Sequence, residues 1–203
     1  MAEDWNDYAD GWDDSSDVRL YADRAFASLV STVDIRAPVW KSKRVLDFGC
    51  GTGLLAEKVA PYVGDLIAVD TSDKMIAVLE RKKLDRVTAL CGDILDDALR
   101  ARIGPSGFDL IYASSVCGFL PDYEKTVVSL ARLLKPGGRF VQWDWLASGD
   151  DGTGLTMGRI ERALGKAGLQ SVQAGRAFSM AANGTDLPVL IGVGTTRSRS
   201  SLD

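Results

Sequence analysis

The stretch "VLDFGCGTG", residues 45–53, is an apolar run closed by an acid and then three glycines at alternate positions, Gly49, Gly51 and Gly53. An apolar run of that length reads as a buried strand, and glycines at its end read as a turn where φ is positive or where something approaches the backbone closely. From Arg44 onward the chain repeats the pattern. "DLIAVD" is followed by a helical pattern over 72–83, "RVTALCGD" by a short one over 94–102, and "FDLIYASS" by one over 122–134; "GRFVQWDWL" follows the turn "KPGG". The first run feeds a helix over 53–63. Strands alternating with helices predict an α/β fold with a mostly parallel sheet and helices on both faces.

Both ends depart from that rhythm. "DVRLYADRAFASLVSTVDI" places Val18, Tyr21, Ala22, Ala25, Phe26, Leu29 and Val33 on one helical face, with Ser15 or Ser16 as the cap. After a helix over 154–167, "SVQAGRAF" and "LPVLIGVG" follow one another with no helix between them, which predicts an antiparallel pair. We divide the chain into an N-terminal lid or helical segment, 1–40, a ligand-binding domain, 41–196, and a flexible tail, 197–203.

Composition removes several kinds of chemistry. The 203 residues contain no histidine, so Ser-His-Asp and Cys-His hydrolases and His-ligated metals are excluded, and no metal is expected. Cys50, Cys91 and Cys117 are widely spaced and form no CxxC pair, which fits reduced thiols in the cytoplasm. The net charge is −4, and residues 1–17 hold seven acids and no base, so neither a nucleic-acid partner nor a membrane is expected. No window reaches the roughly 18 apolar residues a membrane helix needs.

In a doubly wound sheet, ligands bind beyond the carboxyl ends of the strands. Asp70 closes "LIAVD" and Asp93 closes "ALCGD", on the same edge as the glycine turn. A carboxylate at the end of the second strand can accept both hydroxyls of a ribose. A dinucleotide fingerprint needs GxGxxG, but position 54 is Leu54; a Walker loop needs GK[ST], which does not follow.

These residues resemble the class I S-adenosylmethionine-dependent methyltransferases, of the small-molecule, type 11 or 25-like branch. "VLDFGCGTG" is similar to their first motif, "VDTSDKM" to the second and "GDI" to the third; "LLKPGG" is a further hallmark. The resemblance covers residues 40–146 and implies a Rossmann-like seven-stranded sheet with an antiparallel last strand. It implies S-adenosylmethionine as cofactor, with Asp47 facing its methionine end and Gly49, Cys50, Gly51 and Gly53 lining it. Asp70 and Thr71 would serve the ribose, Met75 the adenine, Gly92 and Asp93 the adenine amino group, and Ile94 the ring face, with Ser114 at the end of the fourth strand.

Relatives of this branch carry "SSVLHHLPD" or "SSVLHFLPD" after the fourth strand, whereas this chain reads "SSVCGFLPD". The histidine beside the transferred methyl is absent, so a histidine base is out of reach, and Gly118 is expected to open space for an acceptor beside Phe119. Asp144, between Trp143 and Trp145, and the acids of the N-terminal segment are the candidates for a base or substrate anchor, and strand alternation puts both tryptophans opposite Asp144. The N-terminal "DWNDYADGWDD" is similar to the family's lid segment, with Tyr8, Ala9 and Trp12 in place. The amino-methylating DNA enzymes of the family carry an N/D-P-P-Y/F box where this chain reads "ASSV", so the expected reaction is in-line methyl transfer to a small molecule, dominated by positioning. The alternatives are a non-catalytic cofactor-binding protein and, less favoured by the glycine spacing, a nicotinamide oxidoreductase.

Overall fold

A computed structural model describes residues 5–147, 154–182 and 185–198. Seven strands form one sheet in the order β3-β2-β1-β4-β5-β7-β6. The chain divides into two compact units, Met1–Pro105 and Ser106–Asp203.

In the first unit, α1 (Ser16–Val33) is capped by Ser15, whose hydroxyl accepts from the Val18 N–H at 3.4 Å. Tyr21, Ala22, Ala25, Leu29 and Val33 of the expected face are buried. Phe26 lies at its border and stacks on Tyr62 at 5.9 Å, with the Arg36 guanidinium 5.3 Å from its ring centre. Strands β1 (Arg44–Phe48), β2 (Asp65–Asp70) and β3 (Val87–Cys91) pair in parallel. Helix α2 (Leu54–Val59) stops short of residue 63, because Pro61 cannot extend it and the chain tightens into a 3-10 turn, Ala60–Tyr62. Helix α3 (Asp73–Arg81) is capped by Ser72. Helix α4 (Asp97–Ile103) begins later than residue 94 because the Asp96 carboxylate accepts from the Ala98 N–H and sets the start.

In the second unit, β4 (Phe108–Ser114) leads to α5 (Tyr123–Ala131), which is capped by Asp122. Strand β5 (Leu134–Trp145) runs parallel to β4. Helix α6 (Met157–Lys166) is capped by Thr156, three residues after the expected start. Strands β6 (Gln170–Ala182) and β7 (Thr185–Thr195) form the expected antiparallel pair, and β7 inserts antiparallel beside β5. A mostly parallel sheet with an antiparallel last strand is therefore the observed fold. Of the expected tail, Arg197 accepts from the Gly137 N–H through its carbonyl at 3.3 Å, and residues 199–203 lie outside the described residues. Among the described residues, no helix is long and apolar enough to cross a membrane.

Candidate active site

The glycine turn is fastened to the neighbouring strand. The N–H groups of Gly49 and Cys50 both donate to Val69 O, at 2.8 and 3.0 Å, and Gly53 N–H donates to Cys50 O at 2.9 Å. Gly49, Gly51 and Gly53 have φ of 68°, 52° and 83°. Two of these glycines differ in what surrounds them. A Cβ on Gly53 would stand 2.3 Å from Leu79 Cδ1 of α3, so the protein's own packing demands glycine there. A Cβ on Gly51 would meet nothing within 4 Å.

Gly51 is instead held by a hydrogen bond. Its N–H donates to Asp70 Oδ2 at 2.8 Å, while the Ser72 N–H donates to Asp70 Oδ1 at 2.9 Å. The Thr71 N–H adds a third backbone donor, which leaves the carboxylate part of its acceptor capacity. Burial raises the Asp70 carboxyl above its ordinary value, and the donors from Ser72, Gly51 and Thr71 pull it back. Asp47, at the end of β1, is 1% exposed. Burial, then the nearby Asp47 and Asp70 carboxylates, push the Cys50 thiol up, so it stays neutral.

On the third strand, Gly92 N–H donates to Asp70 O at 2.9 Å, which brings the "CGDI" turn beside the second motif. Asp93 is exposed and its Oδ1 accepts from the Leu95 N–H at 2.8 Å. Met75 and Ile94 are buried, and their apolar character serves the packing of this unit. Thr71 O accepts a contact from Cys91 Sγ at 3.7 Å.

The N-terminal segment forms two 3-10 turns, Trp5–Tyr8 and Trp12–Asp14, rather than one helical stripe. Trp5, Tyr8 and Trp12 contact one another with ring centres 5.7 to 6.4 Å apart. Two side chains dock this cluster onto the loops of the row. Asp13 accepts from the Thr52 hydroxyl and pairs with Lys82 Nζ at 2.7 Å. Asn6 Oδ1 accepts from the Ser72 hydroxyl and, at 3.4 Å, from the Lys74 N–H. Nothing in the sequence singled out Asn6 or Asp13, because one acid among seven in a run has no pattern of its own.

In the second unit the alternation along β5 is as expected. Gln142 and Asp144 share one face, Gln142 Nε2 donating to Asp144 Oδ2 at 2.7 Å, and the buried Trp143 lies between them on the other. Asp144 is 1% exposed; its Oδ1 accepts from Gly118 N–H at 2.8 Å, and the Cys117 N–H adds a further bond. Tyr123 OH donates to Gln142 Oε1 at 2.7 Å. Burial pushes the Asp144 carboxyl up to about 7 against these donors, and pushes the Cys117 thiol and Tyr123 hydroxyl up as well. Ser114, half-buried, pairs with Trp143 across the sheet, and Phe119 is half-buried.

Gly118 does not open the space expected of it. A Cβ there would lie 3.1 Å from Gly154 Cα, so the missing side chain lets two backbones pack together. Among the described residues, no group of His, Cys, Asp and Glu could hold a metal ion.

A mostly parallel sheet whose first three strands end in a glycine turn and two acids is a Rossmann-like arrangement. Residues 46–142, 97 of the 203, match the family model described as "Methyltransferase domain". Over that part the chain is similar to the class I S-adenosylmethionine-dependent methyltransferases, whose cofactor is S-adenosylmethionine. It is 33% identical over 106 residues to the ubiquinone biosynthesis O-methyltransferase of Thiobacillus denitrificans, covering 52% of this chain and 45% of that protein. The chain thus spans less than half the length of that relative. In the complex between the Haloferax volcanii Trm112 methyltransferase activator and the putative methyltransferase, one chain superposes with a TM-score of 0.74 at 18% identity, covering 97% of this chain and 99% of that one. Magnesium protoporphyrin IX methyltransferase from Synechocystis, with bound S-adenosylmethionine, superposes with a TM-score of 0.63 at 19% identity, covering 89% of this chain and 79% of that one.

Proposed function

We propose that this protein transfers the methyl group of S-adenosylmethionine to a small-molecule acceptor. The observation that carries the reading is the contrast at the glycine turn. Gly53 is glycine because Leu79 fills the space beside it, whereas no protein atom stands within 4 Å of a Cβ on Gly51, whose amide is held by Asp70. A backbone left open beside a partly buried carboxylate is suited to a hydroxylated ligand lying against it.

In this reading Asp70, half-buried and with acceptor capacity left on its carboxylate, accepts the ribose hydroxyls, and Gly49, Cys50, Gly51 and Gly53 line the amino-acid end with Asp47 nearby. Thr71, Met75, Gly92, Asp93 and Ile94 bound the adenosine end. The 3-10 turns of the N-terminal segment, fixed by Asn6 and Asp13, act as a lid whose aromatic faces, Tyr8 and Trp12, exclude water. Ser114, the last residue of β4, and Phe119, in the loop after it, are assigned to the acceptor side, with Trp143 of β5 paired to Ser114.

When bound, the sulfonium supplies an already activated methyl group. Alignment of such a donor with its nucleophile contributes about 7 to 11 kcal/mol, so the chain's main task is to position. With no imidazole and with Asp144 enclosed by protein donors, this reading assigns no general base. The three free thiols, Cys50, Cys91 and Cys117, support a cytoplasmic setting. Segments 1–40 and 41–196 are the lid-bearing and cofactor-binding parts in this reading.

Calorimetric titration with S-adenosylmethionine, S-adenosylhomocysteine and NAD tests the cofactor, and transfer of labelled methyl to a panel of phenols, amines and carbon acids tests the acceptor. Binding of NAD alone overturns the proposal. Tight binding of both sulfur compounds with no transfer to any acceptor favours a non-catalytic binding protein.

A further inference from the structure

The last three residues of β5 grip the loop after β4 at three consecutive points. Ser115 N–H donates to Trp143 O at 2.7 Å, and Trp145 Nε1 donates to the Ser115 hydroxyl at 2.9 Å. The Asp144 carboxylate takes the N–H groups of Gly118 and Cys117. Ser115 has φ 58°, a left-handed conformation that a non-glycine residue holds only where its surroundings enforce it.

Asp144 itself is held from behind. Tyr123 of α5 donates to Gln142 and Gln142 donates to Asp144, so every hydrogen bond in the chain points toward the carboxylate. Both oxygens are engaged by protein donors and the residue is 1% exposed. A group so enclosed cannot meet an acceptor molecule, yet a buried carboxylate is retained at the cost of its desolvation. The loop it holds has half-buried Val116, Gly118 and Phe119 on either side of a fully sunk Cys117.

We propose that Asp144 is a positioning residue that fixes the acceptor-side loop, residues 115–120, through the amides of Cys117 and Gly118, with Gln142 and Tyr123 orienting it. This rests on the methyltransferase reading for the words "acceptor-side". The clamp itself rests on the hydrogen bonds. Its consequence is separability: the order of this loop depends on Asp144, and cofactor binding by the glycine turn, Asp70 and Asp93 does not.

The test uses the full chain as wild type, Asp144→Ala, Asp144→Asn and Val141→Ala, the last a core truncation on the same strand outside the clamp. Amide hydrogen exchange is followed at Cys117 and Gly118 and, for comparison, at 111–113 of β4. Removing the acceptor in Asp144→Ala should speed exchange at Cys117 and Gly118 about tenfold or more while 111–113 change little. Asp144→Asn, which keeps an acceptor oxygen and a reversible amide partner for Gln142, should restore most of the protection. Val141→Ala should move all these amides together. The proposal is overturned if Asp144→Ala leaves the two amides unchanged, or shifts them no more than Val141→Ala does. S-adenosylhomocysteine affinity, measured by calorimetry, should stay within about threefold of wild type in folded Asp144→Ala, because the hydrogen bonds of Asp144 run to Cys117, Gly118 and Gln142. A loss beyond tenfold removes the separability and with it the proposal. If the wild type binds no S-adenosylhomocysteine, the methyltransferase reading fails while the exchange result still decides the clamp.

Discussion

Asp70 and Asp144 make a natural pair for comparison. Each stands at the carboxyl end of a parallel strand and each accepts a backbone N–H from the loop after another strand, Gly51 after β1 for Asp70 and Gly118 after β4 for Asp144. They differ in what remains. Asp70 is half-buried, with the amides of Gly51, Ser72 and Thr71 on its carboxylate, whereas Asp144 is 1% exposed, with Gln142 and the amides of Cys117 and Gly118 around it. The same residue type at the same kind of position is thus half-open in one unit and enclosed in the other, and solvent access makes the difference.

The glycine turn beside Asp70 can be used to break this distinction. Gly53→Ala sets a Cβ 2.3 Å from Leu79 at φ 83°, and should cost about 2 kcal/mol or more of unfolding free energy in urea titrations. Gly51→Ala meets no protein atom within 4 Å, so its stability loss should be the smaller of the two while its S-adenosylmethionine affinity falls. Equal loss of affinity with unchanged stability in both variants would contradict the division of labour in the turn.

Asp70→Ala should weaken S-adenosylmethionine binding by more than about tenfold in a folded protein, since two hydroxyls lose a charged acceptor. An unchanged dissociation constant refutes the assignment of Asp70.

Asp144 sharpens the contrast through pH. Its carboxyl ionises at about 7 in the folded chain against an ordinary 3.8, so the folded state holds the proton over that interval. Such a group contributes stability that is full below the ordinary value and is lost as pH rises through about 7. Asp144→Asn lacks this loss and should gain on wild type between pH 4 and 7, read as a closing or reversed gap in urea midpoints. A gap independent of pH removes the buried-acid account.

The smallest effect belongs to the N-terminal docking. Asp13→Ala removes a partner of the buried Thr52 hydroxyl and of Lys82 Nζ, which keeps Glu57 at 3.6 Å, and should cost about 1 kcal/mol of stability. Its visible effect should be a faster release of S-adenosylhomocysteine in stopped-flow displacement. An unaltered release rate argues that the segment is packing rather than lid.

Much of the fold was legible because its signals are local. Apolar runs ending in Asp70 and Cys91, the cap at Ser15, and two consecutive strand patterns at the end each state their own structure. The errors were at boundaries and in space. Pro61 shortened α2 and Asp96 delayed α4, both small local effects that competing helical periodicity obscured. Gly118 read as open room because a sequence shows an absent side chain but not the Gly154 backbone that fills its place.

By itself the sequence determined the α/β alternation, the glycine turn with its acids in a row, and the absence of imidazole chemistry, because each depends on residue type and short spacing. Only the tertiary structure decided which glycine is excluded by Leu79 and which is open, which of the many N-terminal acids reaches Thr52, and that Asp144 faces inward to two amides. Those facts depend on contacts between residues 26 to 39 positions apart, for which a chain carries no periodic mark. In "VLDFGCGTG" the fold gives Gly53 and Gly51 different surroundings, the Leu79 side chain beside one and open space beside the other.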